Sequence, residues 1–138
     1  MNQQRPKTIL IVDDDEDIVN AMTMILEAGG YSVRSACCGE ECLDEVYKAP
    51  PDLILMDVMM ERVTEGLGVG YRIRSNPQSA SIPIILMSTL EESSLSLSRD
   101  QKGFASIADD YLTKPIAPSI LLERVSRLLE ISPDGRVG

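Results

Sequence analysis

The sequence predicts a doubly wound α/β fold built on a five-stranded parallel sheet. Three observations carry the prediction. Apolar runs of strand length recur along the chain, segments with helical spacing separate them, and runs such as LILM and IILM are apolar without interruption. An unbroken apolar run suits a parallel strand covered by helices on both faces, where every side chain is buried. Regular alternation of strand and helix then joins parallel neighbours through crossovers.

The elements follow in chain order. TILIV (8–12) is the first strand. EDIVNAMTMILEAGG places Ile18, Met22, Ile25 and Leu26 on one helical face and ends in glycines, a normal helix stop. YSVRSA (31–36) is the second strand, and GEECLDEVYKA gathers Cys42, Leu43 and Val46 on a helix that stops before Pro50 and Pro51. DLILM (52–56) is the third strand. GLGVGYRIRSNP (66–77) reads as a helix diluted by glycine and closed by Asn76-Pro77. IPIILMS (82–88) and DYLT (110–113) are the last two strands. APSILLERVSRLLEI carries Ile120, Leu121, Val125, Leu128 and Leu129 along one stripe. The Ser-rich stretch 89–108 is poorly patterned and is expected to hold a long loop and a short fourth helix. About five helices are expected, and five strand–helix units favour the flavodoxin-like strand order 2-1-3-4-5.

Composition bounds the class. The 138 residues fit one domain, with a core at about 7–130 and a flexible tail at 131–138. With 43% hydrophobic residues but one Phe, four Tyr and no Trp, the core must be aliphatic. The 13 basic and 22 acidic residues give a net charge of −9, and no Lys/Arg cluster of nucleic-acid type is present, so direct nucleic-acid binding by this chain is disfavoured. No signal peptide or run of transmembrane length is seen, so a soluble cytoplasmic chain is expected. Cys37, Cys38 and Cys42 are then reduced thiols, and no His exists to complete a zinc site with them.

In an open parallel sheet, function gathers at the carboxyl ends of the strands. Asp13 and Asp14 end the first strand, Asp57 the third, Ser88 and Thr89 the fourth, and Lys114-Pro115 follows the fifth. A helix dipole accounts for Glu16 and Asp17, at about 0.3–1 kcal/mol each, but less well for Asp13 and Asp14. Three clustered carboxylates call for a cation. Oxygen-only ligands suit Mg2+, with Mn2+ as the alternative. Such an ion beside Asp57 would let a phosphate approach a carboxylate, and Lys114 and Ser88 could hold the phosphate oxygens afterwards.

The ordered series VDDD, PDLILMD, PIILMS and YLTKP resembles the receiver domain of two-component response regulators, from about Lys7 to Glu130. The resemblance implies that Asp57 accepts a phosphoryl group from a sensor histidine kinase or phosphotransfer protein. It implies that Asp14, Asp57 and the Met59 carbonyl ligate Mg2+, with Asp13 acting through water. It implies that Ser88, with Thr89 beside it, is the switch hydroxyl, Lys114 the phosphate-binding lysine, Tyr111 the aromatic switch residue and Lys114–Pro115 a cis peptide. The side chains flanking the hydrolytic water in such domains correspond to Met59 and Leu90, neither of which can orient a water. The implied partners are the kinase and a downstream effector or C-terminal output domain, with a phosphorylation-dependent homodimer as a further mode. No membrane partner is implied, and the chain is not expected to be a turnover enzyme.

The sequence departs from the family pattern in places. Glu61 stands where proline is usual four residues after the acceptor, and Gly66 arrives one residue late. The stretch from Ser88 to Lys114 is longer than usual, and Ile107 replaces the usual glycine before ADDYLTKP. Two other readings compete. One is a phosphorylation-incompetent pseudo-receiver scaffold, against which the complete set Asp13, Asp14, Asp57, Ser88 and Lys114 argues. The other is a Mg-dependent aspartyl-phosphate phosphatase, which requires an acid/base carboxylate where this chain has Met59.

Overall fold

The structure is a computed structural model that describes residues 5–58, 63–89 and 106–130, without the side chains of 63–66. Five strands, β1 (Thr8–Val12), β2 (Ser32–Ala36), β3 (Leu53–Asp57), β4 (Ile84–Ser88) and β5 (Asp110–Thr113), form one sheet in the order β2-β1-β3-β4-β5. Every pairing is parallel. Four helices, α1 (Glu16–Ala28), α2 (Gly39–Lys48), α3 (Val63–Ser75) and α4 (Pro118–Glu130), are present among the described residues. The flavodoxin-like order expected from the sequence is the one found. The additional helix expected within 89–108 falls largely on residues outside those described.

Successive strand side chains point to opposite faces, and each face has its own helices to cover it. On one, Leu10, Ile54, Ile84 and Leu86 pack with Cys42 and Val46 of α2 and Val69 and Ile73 of α3. On the other, Ile9, Ile11, Leu55 and Ile85 pack with Met22 and Leu26 of α1 and Leu121 and Val125 of α4. All residues of β3 and β4 are buried, as their unbroken apolar runs require. Cys42 is fully buried, and burial pushes its thiol up to about 12. All three cysteines are free.

Two expectations need correction. α3 begins at Val63, three residues before the glycine-rich start read from the sequence. Burying Val69 and Ile73 against the sheet outweighs the poor helix propensity of its glycines. Ile120 does not belong to the buried stripe of α4, because it is 42% exposed. Leu121 and Val125 are fully buried, and Ile120 lies about 100° round the helix from Leu121, turned away from the sheet.

The lower end of the sheet is tied by one guanidinium. Arg74, in the last turn of α3, donates to the carbonyls of Ala80 (2.8 Å), Ile82 (2.6 Å) and Ile107 (Nε 3.1 Å). It also pairs with the Asp109 carboxylate at 2.7 Å. The same Asp109 oxygen accepts from the backbone N–H of Ile84 at 2.9 Å. Ile107 is buried against α3 directly over Gly70. A Cβ at position 70 would lie 2.2 Å from Ile107 Cδ1 and 3.1 Å from its Cβ. The departure from the family pattern at Ile107 is therefore matched by a notch in the facing helix.

Candidate functional site

Parallel pairing sets the site. Val12 is level with Met56, Asp57 with Met87 and Ser88 with Thr113, so the residues that end the strands share one rim. Backbone bonds extend the ladder one step past the strands. Asp13 N–H donates to the Ala36 carbonyl at 3.1 Å, Val58 N–H to Met87 at 2.9 Å and Lys114 N–H to Ser88 at 2.7 Å. The rim residues are thus positioned by the sheet and not by free loops.

Lys114 Nζ donates to Asp13 Oδ2 at 3.1 Å and to Asp57 Oδ1 at 3.2 Å. Both carboxylates are nearly sealed, with side-chain exposures of 1% and 5%. The other Asp13 oxygen accepts from the Asp15 N–H at 3.0 Å. Burial by itself would lower the Lys114 pKa, but the charges of Asp57 and Asp13 outweigh it and raise it above 10.5. The ammonium therefore stays charged between two carboxylates, which is the condition that lets both be buried.

Asp14 is exposed beside this buried pair. One oxygen from each of Asp13, Asp14 and Asp57 can be chosen so that all lie within 4.8 Å of one another, and no other group of metal-ligating side chains does so among the described residues. An all-oxygen donor set with one exposed member fits a hard divalent cation that keeps water ligands. Ser88 is buried at the end of β4, and Thr89 follows it half-buried.

Asp13, Asp14, Asp57 and Lys114 thus come together as the sequence suggested. Tyr111 does not join them: it is 40% exposed on the edge strand β5, and partial burial raises its pKa. The Lys114–Pro115 peptide is cis. Met59 and Leu90 lie outside the described residues. Asp15 has a role that the sequence analysis did not assign. It caps α1, accepting from the N–H groups of Asp17 (3.0 Å) and Ile18 (3.3 Å), while its own N–H holds Asp13. An Asp immediately before the helical periodicity was the available signal.

A parallel five-stranded sheet with carboxylates and a lysine gathered at its carboxyl rim is the architecture of receiver domains. The family model for the response regulator receiver domain matches residues 9–126, and the chain belongs to that family. It is 37% identical over 121 residues to the DNA-binding dual master transcriptional regulator RpaA of Synechocystis sp., covering 88% of this chain and 48% of that protein. It is 36% identical over 126 residues to the alkaline phosphatase synthesis transcriptional regulatory protein PhoP of Bacillus subtilis, covering 91% of this chain and 50% of that protein. The chain thus spans about half the length of these curated relatives. Among solved structures, the chemotaxis response regulator CheY4 of Vibrio cholerae superposes with a TM-score of 0.78 at 32% identity, over 89% of this chain and 98% of that one. No helix among the described residues is long and apolar enough to cross a membrane.

Proposed function

We propose that the chain accepts a phosphoryl group on Asp57 from the phosphohistidine of a sensor histidine kinase or phosphotransfer protein, and that the acyl phosphate changes what the chain binds. The observation that carries this reading is the buried Asp57 carboxylate held by Lys114 next to Asp13 and the exposed Asp14. In the transfer, an Asp57 oxygen attacks phosphorus, the P–N bond breaks, and the imidazole leaves with its electron pair. Asp13, Asp14 and Asp57 are the residues that would hold Mg2+ or Mn2+, with the Met59 carbonyl implied by the family. When bound, the ion supplies positive charge to the phosphoryl oxygens. Lys114, already a donor to Asp57, turns to a phosphoryl oxygen, and the Ser88 hydroxyl donates to another. Drawing Ser88 inward leaves room for Tyr111 to leave the surface, which biases a two-state element without creating a new fold.

On this reading the chain works in the cytoplasm beside the kinase's catalytic part. Its output is an effector protein or a domain of the kind that makes up the rest of its longer relatives. It catalyses only its own phosphorylation and dephosphorylation.

Incubation with acetyl phosphate and Mg2+ is expected to add the mass of one phosphoryl group, and Asp57→Asn to abolish the gain. Asp14→Ala is expected to remove most Mg2+ affinity and most phosphorylation. A wild-type chain that gains no mass is a pseudo-receiver, and unchanged Mg2+ affinity in Asp14→Ala refutes the ligand assignment.

The acyl phosphate is expected to be long-lived. Hydrolysis needs a positioned in-line water, and neither Met59 nor Leu90 can hydrogen-bond one strongly. Combining Met59→Asn with Leu90→Glu should speed phosphate loss by about tenfold, equivalent to about 1.4 kcal/mol of barrier. A wild-type half-life of seconds, followed by intact mass, counts against this.

A further inference from the structure

Cys37, Cys38 and Cys42 are the chain's three cysteines, all free and gathered at the start of α2. The fold gives them unequal tasks. Cys42 is sealed in the core with Leu10, Ala36 and Val46. Cys37 is exposed and Cys38 half-buried, and neither belongs to the core. Cys38 is the N-cap of α2, where Ser, Thr, Asp or Asn would hold a helix N–H and contribute about 1 kcal/mol. Its thiol makes no capping bond. Two thiols therefore stand at this turn without a packing or capping role.

The charge around them is negative. Glu40 and Glu41 follow in the first turn of α2. Cys37 N–H donates to Glu41 Oε1 at 2.9 Å. The same carboxylate accepts from the Cys37 thiol and holds it above its ordinary range, while those two bonds hold the Glu41 pKa down. The Cys38 thiol is a further hydrogen-bonding neighbour of the Cys37 thiol. Such surroundings disfavour a bare thiolate, so they do not suit a cysteine that reacts with peroxide. They suit a cation. It takes the place of the thiol protons and turns repulsion between thiolate and carboxylate into attraction.

We propose that Cys37 and Cys38, with Glu41, form a site for a soft, thiophilic metal cation of the Cu+ or Cd2+ type. On binding a divalent ion, two S–H bonds break, two metal–sulfur bonds form and two protons pass to solvent. Thiolates select soft ions and the all-oxygen rim of Asp13, Asp14 and Asp57 selects hard ones, so the two sites do not compete for one metal. The three donors do not converge within 4.8 Å as the rim oxygens do. Cys37 and Glu41 are exposed, and rotation about their side-chain bonds closes the group.

The test titrates Cd2+ into the whole chain, with its thiols kept reduced by a phosphine and excess Mg2+ present to fill the carboxylate rim. The readout is the ultraviolet sulfur-to-cadmium charge-transfer band, which carboxylates do not give. A band that saturates at one ion per chain is expected. Cys37→Ser and Cys38→Ser should each weaken binding by about tenfold or more, since even outer-shell changes around a metal cost about 10–100-fold. Serine is a good N-cap, so lost binding in Cys38→Ser is not a lost helix. Glu41→Gln should weaken binding by about tenfold. Cys42→Ala should leave the band and the affinity unchanged. The absence of a band overturns the proposal, as does wild-type affinity in any of the first three variants or loss of the band in Cys42→Ala. Saturation at half an equivalent, with two chains sedimenting per ion, overturns it as well.

Discussion

Lys114→Met is expected to destabilise the domain by about 3–5 kcal/mol, the usual result of removing one partner from a buried charge group. Asp13 and Asp57 keep only 1% and 5% of their side chains in contact with solvent, and Lys114 lies 3.1 and 3.2 Å from them. Without the ammonium, two like charges remain in a low-dielectric rim with no described cation beside them. A urea titration reads the loss as a lowered midpoint with an unchanged slope. Adding Asp13→Asn to the variant should recover part of the loss, because it removes one of the two uncompensated charges. Mg2+ should do the same if the three carboxylates hold it. In the unmodified protein, the Lys114 pKa is raised in the fold, so its stabilisation is complete below the ordinary value of 10.5 and is lost as pH climbs through the folded value. A wild-type midpoint for Lys114→Met would show that the carboxylates do not depend on it.

Gly70→Leu is expected to cost about 3 kcal/mol, at the upper end of overpacking effects. Helix propensity opposes this, since replacing a helical glycine gains about 1 kcal/mol. Sterics should win because Ile107 cannot simply move aside. It is buried, and its carbonyl accepts from the Arg74 guanidinium at 2.7 Å. Ile107→Ala alone should cost about 2–5 kcal/mol through the cavity it leaves. Together, the two changes refill the notch from the other side. The double variant should therefore be more stable than the sum of the single effects by at least about 1 kcal/mol. Additivity within experimental error would mean that the two residues do not constrain each other.

The fold was largely legible because the signals that encode it are local. β1 and β5 were read to the residue, β2 and β4 begin one and two residues later than read, and β3 is shifted by one, running from Leu53 to Asp57. Their apolar runs admit no other placement once both sheet faces are covered. The rim was legible for a related reason: parallel strands bring their ends together, so Asp13, Asp14, Asp57 and Lys114 could be gathered on paper from strand order alone.

What the chain text could not decide depends on contacts between distant segments. Whether Lys114 meets Asp13 and Asp57 is a matter of distances set by the ladder bond from Lys114 N–H to Ser88. α3 holds across its glycines because Val69 and Ile73 are buried, against the local propensity. Ile120 and Leu121 are equivalent hydrophobes in sequence, and only the packing angle of α4 separates the exposed one from the buried one. Nothing in the sequence marks Arg74 and Asp109 as partners; the fold pairs them by placing the end of α3 against the entry to β5. Gly70 and Ile107 are 37 positions apart in the chain and carry no mark of each other, yet the missing side chain of one is the space the other fills. Local propensity and periodicity determine which elements form, whereas close packing between elements determines which of their side chains must fit together.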